Sequence, residues 1–96
     1  MILEVAILNE ISGKEAEFEL AFNTAEKIIS RMKGYVSHQL QQSIEVPNRY
    51  ILLVNWKTLE DHTVGFKKST EYQEWRKLLH HFYEPFPIVE HYKQTD

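Results

Sequence analysis

Apolar and polar positions alternate from Ile2 to Asn9, with Leu3, Val5 and Ile7 on one side and Glu4, Ala6 and Leu8 on the other. This two-residue period predicts a first strand. The period then lengthens. Phe18, Ala21, Phe22, Ala25, Ile28, Ile29 and Met32 recur at three- and four-residue spacing, which predicts an amphipathic helix. Ser12-Gly13-Lys14-Glu15 has the spacing of a capping box, with Ser12 as N-cap and Glu15 reaching back, and Gly34 stands where a left-handed residue ends a helix. Alternation returns over Tyr35 to Ile44, setting Val36, His38, Leu40 and Ile44 against Ser37, Gln39, Gln41 and Ser43. The Glu45-Val46-Pro47-Asn48 stretch predicts a turn, and Arg49 to Lys57 a third strand returning antiparallel as a hairpin.

A second helix is expected in two pieces, 58–68 and 70–82. Thr58 with Asp61 marks its start, and Thr70 with Gln73 forms a second capping box. Leu59, Phe66, Tyr72, Trp75, Leu78, Leu79 and Phe82 should face inward. Pro85 and Pro87 stop the helix, because proline breaks the backbone hydrogen-bond ladder. Ile88 to Lys93 reads as a short last strand, and Gln94 to Asp96 as a frayed tail.

The order β-α-β-β-α-β is the ferredoxin-like, split-βαβ arrangement: an α+β domain with both helices on one face of a four-stranded antiparallel sheet. One domain over residues 1–96, with its core at about 2–93, is expected from the length. The third strand is apolar on both faces, with Tyr50, Leu52, Val54 and Trp56 on one and Ile51 and Leu53 on the other. A sheet with one wet face should alternate apolar and polar residues. Something must therefore cover the face opposite the helices, and a second copy packed sheet to sheet does so most simply. A homodimer is the expectation.

Composition narrows the function classes. The net charge of −3 comes from interspersed acidic and basic residues, with no basic stripe to neutralise phosphates, so nucleic-acid binding is not expected. The longest apolar run falls far short of the roughly eighteen residues of a membrane helix, and Met1-Ile2-Leu3 leads into the first strand without a signal-peptide pattern. With no cysteine there is no disulfide, thiol nucleophile or Cys-based metal site; this fits a cytoplasmic protein and makes dimerisation the remaining source of burial.

Eight of the twelve aromatic residues and four of the five histidines fall in Asn55–Tyr92, beside the apolar third strand. His80 and His81 are adjacent, so on a helix they diverge by about 100° and make no two-ligand metal face; surface or interface histidines are the plainer reading. His38, between Val36 and Leu40, is either a core or interface histidine satisfied by one hydrogen bond or a pocket acid/base. His62, in the first turn of the second helix, is either exposed or held neutral by the helix dipole and able to take a proton from a phenol. Trp56 either caps the core or forms a flat wall for an aromatic ring. Phe66, Tyr72 and Trp75 either pack in the core or complete such a cage, with the Tyr72 hydroxyl orienting a ligand.

Trp56-Lys57-Thr58-Leu59-Glu60-Asp61-His62, Ser69-Thr70-Glu71-Tyr72 and Val89-Glu90-His91-Tyr92 resemble the antibiotic biosynthesis monooxygenase (ABM) domain family. The opening strand, the Ser12-Gly13 turn and Gly34-Tyr35 extend the resemblance over nearly the whole chain. It implies a dimeric ferredoxin-like α+β barrel with a pocket between sheet and helices in each subunit. Some members oxidise polyphenols or quinols with O2 and no metal or flavin; others degrade haem. The haem-degrading branch pairs an Asn with a Trp and a His, at positions that fall near Ala6, Phe66 and Trp75 or Arg76 here, so haem degradation is not expected. Trp56 matches the strand-ending tryptophan of the cofactor-free oxygenases, but the amide that some carry four residues earlier is Leu52.

The combined expectation is a cofactor-independent monooxygenase acting on a small phenolic or quinol-like aromatic. His38 or His62 would be the base, and Trp56, Tyr72, Phe66 and Trp75 the binding residues, with no metal or other cofactor. The alternative is a non-catalytic dimeric module that binds a small molecule or regulates.

Overall fold

The computed structural model describes residues 1–96. β1 (Ile2–Asn9), β2 (Tyr35–Gln42), β3 (Arg49–Trp56) and β4 (Val89–Lys93) form one antiparallel sheet in the order β2-β3-β1-β4. α1 (Glu15–Ile29) and α2 (Thr70–Leu79) complete the ferredoxin-like βαββαβ arrangement. The polar-looking side of β1 is the buried one. Glu4, Ala6 and Leu8 point into the core with Tyr50, Leu52, Val54 and Trp56 of β3, against Phe18, Phe22, Ala25 and Ile29 of α1 and Trp75 and Leu79 of α2. Leu3, Val5, Ile7, Ile51 and Leu53 lie on the other face of the sheet, where Ile7 is half exposed. In register, Glu4 stands between Val54 of β3 and His91 of β4, so a carboxylate and an imidazole from opposite ends of the chain share one face.

Several local expectations are corrected. α1 begins at Glu15 with Lys14 as N-cap, not Ser12; the Glu15 carboxylate accepts from the Gly13 N–H (2.8 Å). The reason is a tight turn in which the Lys14 N–H donates to the Ile11 carbonyl and Gly13 takes φ 90°, so the chain reaches helical geometry later than the spacing predicts. A register shift between Tyr35 and Ser37 puts Val36 in a bulge, exposed and off the His38 face. β2 stops at Gln42, which leaves Ile44 almost fully exposed in the loop. Leu59 is exposed, not inward.

The second helical region starts as predicted, with Thr58 Oγ1 accepting from the Asp61 N–H (3.1 Å). It then forms a π-helical turn over Asp61–Phe66, where the Lys67 N–H reaches back five residues to the His62 carbonyl (3.0 Å). Such wide turns insert a residue into the helical ladder and occur often at functional sites. The α2 cap is Ser69, whose Oγ accepts from the Tyr72 N–H (3.1 Å); Thr70 is already inside the helix. A 3₁₀ turn, His80–Phe82, ends the region. No helix is long and apolar enough to cross a membrane.

Candidate active site

The π-helical turn aims His62 down onto the sheet. It is 5% exposed and stacks on Trp56, with ring centroids 5.4 Å apart and planes 23° from parallel. Its Nε2 lies 3.3 Å from Glu4 Oε1, and its Nδ1 2.7 Å from Nε2 of His91. Trp56 Nε1 donates to the same Glu4 Oε1 (2.9 Å). Glu4 Oε1 therefore serves two neighbours, while Oε2 has no protein partner on a side chain that lines a cavity.

The cavity lies between the sheet and the second helical region. Phe66, Tyr72, Trp75, Tyr83 and Phe86 supply aromatic walls, and Glu4, His62, Lys67 and His80 supply the polar groups. Its free volume is ≈ 50 Å³. A cavity of about 150 Å³ accommodates benzene, so a ring enters only if the mouth widens. Phe86, 66% exposed in the Pro85–Pro87 segment, is the wall residue with room to move.

Burial sets the electrostatics. It raises the Glu4 carboxyl from 4.5 to about 7; the Trp56 hydrogen bond and the Lys67 charge pull the other way but weaker. Burial also lowers His62 from 6.5 to about 4, assisted by His91 and Lys67. His62 is thus neutral near pH 7, one of the two readings its sequence position left open, and burial rather than the helix dipole is the main cause. His80 is likewise lowered to about 4 by burial, then by Arg76 and Lys67, and its Nδ1 is enclosed without a hydrogen-bond partner. Burial raises the Tyr83 phenol too. Near neutral pH the group able to change protonation here is a carboxylate, not a histidine.

Of the six residues singled out from sequence, His62, Phe66, Tyr72 and Trp75 line the cavity and two do not. His38 is on the far side of the core, its Nδ1 2.6 Å from the Tyr35 hydroxyl and its Nε2 3.4 Å from Glu26, over an open groove with Glu19 and Phe22. It cannot serve as base in this cavity. Trp56 is fully buried behind His62 and offers a ligand no face; it orients Glu4 and His62 instead. Glu4 and His91 went unnoticed in the sequence. One signal for Glu4 was present: it is the only charged residue on the Glu4-Ala6-Leu8 face. Glu4, His62 and His91 form a line rather than a cage, since His62 turns opposite nitrogens to its two neighbours, and no group of three potential ligands converges on a metal position.

Fold and site together define a small ferredoxin-like domain with an aromatic-walled cavity and a buried acid/base pair. The sequence profile of the antibiotic biosynthesis monooxygenase family matches residues 1–78. An uncharacterised Bacillus subtilis protein, YczJ, is 56% identical over 95 residues, 99% of this chain and all of that one. A Bordetella bronchiseptica structure assigned to the antibiotic biosynthesis monooxygenases superposes with a TM-score of 0.93 at 37% identity, covering 98% of this chain and 96% of that one. SnoaB of Streptomyces nogalater, a cofactor-independent oxygenase, shares the fold with a TM-score of 0.74 at 20% identity, covering 98% of this chain and 94% of that one. The chain belongs to the antibiotic biosynthesis monooxygenase family.

Proposed function

We propose that the protein is a cofactor-independent monooxygenase that oxidises a small phenolic or quinol-like aromatic with O2, working as a homodimer. The observation that carries this reading is the unpartnered Oε2 of Glu4 on the wall of an aromatic cavity, on a carboxyl whose pKa is about 7. A base is most effective when its pKa lies near the working pH. His62 Nδ1 is hydrogen-bonded to His91 and its Nε2 faces Glu4 Oε1 at 3.3 Å, so Glu4 Oε2 takes the substrate hydroxyl proton while Trp56 Nε1 holds Oε1. The resulting phenolate passes one electron to O2, giving a ring radical and superoxide. Their recombination forms a carbon–oxygen bond as a peroxide. The ring carbon that bears the peroxide then loses its C–H proton as the O–O bond breaks, which leaves one oxygen on the ring as a carbonyl and expels the other as hydroxide, protonated to water. Tyr72, Phe66 and Trp75 hold the ring, and Phe86 swings outward to admit it.

Oxygen uptake with a panel of quinols and hydroxyaromatics tests the proposal. The expected result is uptake that survives chelators and falls about 10²–10⁴-fold in Glu4→Gln, the range for loss of a positioned base. His38→Ala should leave it unchanged. Ring binding without oxygen consumption would instead make the protein a non-catalytic binding module.

A further inference from the structure

A base sealed in a cavity must lose its proton before it can act again, and the cavity route is blocked while a ring fills it. Glu4 and His62 are both almost fully buried, but His91 is only partly so and sits on β4, an edge strand paired with β1 alone. His62 Nδ1 is hydrogen-bonded to His91 Nε2 (2.7 Å), and its Nε2 approaches Glu4 Oε1 to 3.3 Å outside hydrogen-bond geometry, so that link closes when the His62 ring turns toward the carboxyl. His91 Nδ1, at the outer end, has no protein partner.

We propose that Glu4, His62 and His91 form a proton wire that connects the buried carboxylate to solvent at the sheet edge, independently of the cavity mouth. Its use in turnover rests on the oxygenase reading; its existence does not.

The wire has two arrangements that differ by one proton. With Glu4 ionised, His62 Nε2–H donates to Glu4 Oε1 and His91 Nε2–H donates to His62 Nδ1. With Glu4 protonated on Oε1, that O–H donates to His62 Nε2, His62 Nδ1–H donates to His91 Nε2, and His91 carries its remaining proton on Nδ1. A substrate proton taken on the cavity-facing oxygen enters the wire after the carboxyl turns to bring that O–H to His62. Passing then from the second arrangement to the first, the Glu4 proton moves to His62 Nε2, the His62 Nδ1 proton moves to His91 Nε2, and His91 Nδ1 releases one to water. Each imidazole is neutral before and after, so no charge is left on a buried ring. This matters because a buried, unpaired charge is strongly disfavoured. Trp56 Nε1 donates to the carboxyl oxygen that faces His62. Lys67, beyond the π-helical turn, is the one fixed charge acting on all three groups, and it disfavours imidazolium at both histidines. Tyr72 and His80 from the second helical region and Tyr83 after it face the cavity side.

A static hydrogen-bonded stack would keep one tautomer, and that difference can be measured without any substrate. Nitrogen-15 NMR of the histidine rings, followed from about pH 5 to about pH 9, spans the titration of the carboxyl. The expected result is a His62 that stays neutral throughout while its proton moves from Nδ1 to Nε2 as the pH rises through about 7. In Glu4→Gln the switch should disappear. A His62 locked in one tautomer in the wild-type protein, a His62 that charges near pH 6, or a switch that persists in Glu4→Gln would each overturn the wire. A tautomer switch in a protein that consumes no oxygen with any aromatic would leave the wire standing and remove the oxygenase reading.

Discussion

Glu4 shows how one residue's placement governs both chemistry and stability. On β1 it alternates in step with Ala6 and Leu8, so folding carries its carboxyl into the core, where it gains one indole donor and one imidazole. Glu10 is a harsher case: it is buried with both oxygens lacking hydrogen bonds, and its pKa rises to about 8 by burial and then by Glu15. Both carboxyls bind protons more tightly folded than unfolded. Their stabilising contribution is therefore full below about pH 4.5 and lost as the pH climbs through about 7 and about 8. His62 and His80 act in the opposite sense, contributing fully above 6.5 and losing that contribution as the pH falls through about 4. The two effects oppose one another between those limits. Above about pH 6.5 only the carboxyls act, so Tm should decline toward about pH 8.5. Glu10→Gln should flatten most of that decline in a series of thermal melts, and an unchanged slope would contradict the assignment.

At the level of elements, the second helical region separates what spacing can and cannot convey. Ser69 and Thr70 are both good cap residues, and the rule of a hydroxyl three residues before a glutamine favours Thr70 with Gln73. In the structure Ser69 takes extended backbone geometry just before α2, so it is Ser69 that receives the Tyr72 N–H. Thr70 Oγ1 only donates to the neighbouring Glu71 carboxylate. Ser69→Ala should lower the unfolding free energy by about 1 kcal/mol, and Thr70→Ala by no more than about 0.5 kcal/mol. Denaturant titration of the two variants checks this, and the reverse ranking would return the cap to Thr70. The π-helical turn before α2 carries His62 over Glu4.

At the scale of the whole molecule, the sheet has one face filled by the helices and another that carries Leu3, Val5, Ile7, Ile51 and Leu53, with Ile7 half exposed and the others partly buried. A second copy packed on that face is the reading these residues support. Leu53 lies between Val5 and Gln39 at the middle of that face, away from the cavity. Sedimentation should find a dimer for the wild-type chain at micromolar concentration and a monomer for Leu53→Lys. A compact, stable wild-type monomer under those conditions would contradict the homodimer.

The order of elements, the hairpin and the two-sided β3 were legible in the sequence, as were the inward faces apart from Val36, Ile44 and Leu59, because period is a local property: whether side chains repeat every two residues or every three to four is decided within one element. His62, Phe66, Tyr72 and Trp75 stand out in the sequence for the same reason, since they cluster along one stretch of chain, and all four line the cavity. The meeting of Glu4 with His62 and His91 was not legible. It depends on which strands become neighbours, on the register that sets Glu4 beside His91, and on a π-helical turn that rotates His62 onto the sheet. His38 and Trp56 were misplaced by the same gap, one carried to the far side of the core and the other sealed behind His62. The chain's pattern determined which surfaces are apolar; only the packed structure decided which side chains meet, because contacts between distant segments follow from register and packing rather than from any local repeat.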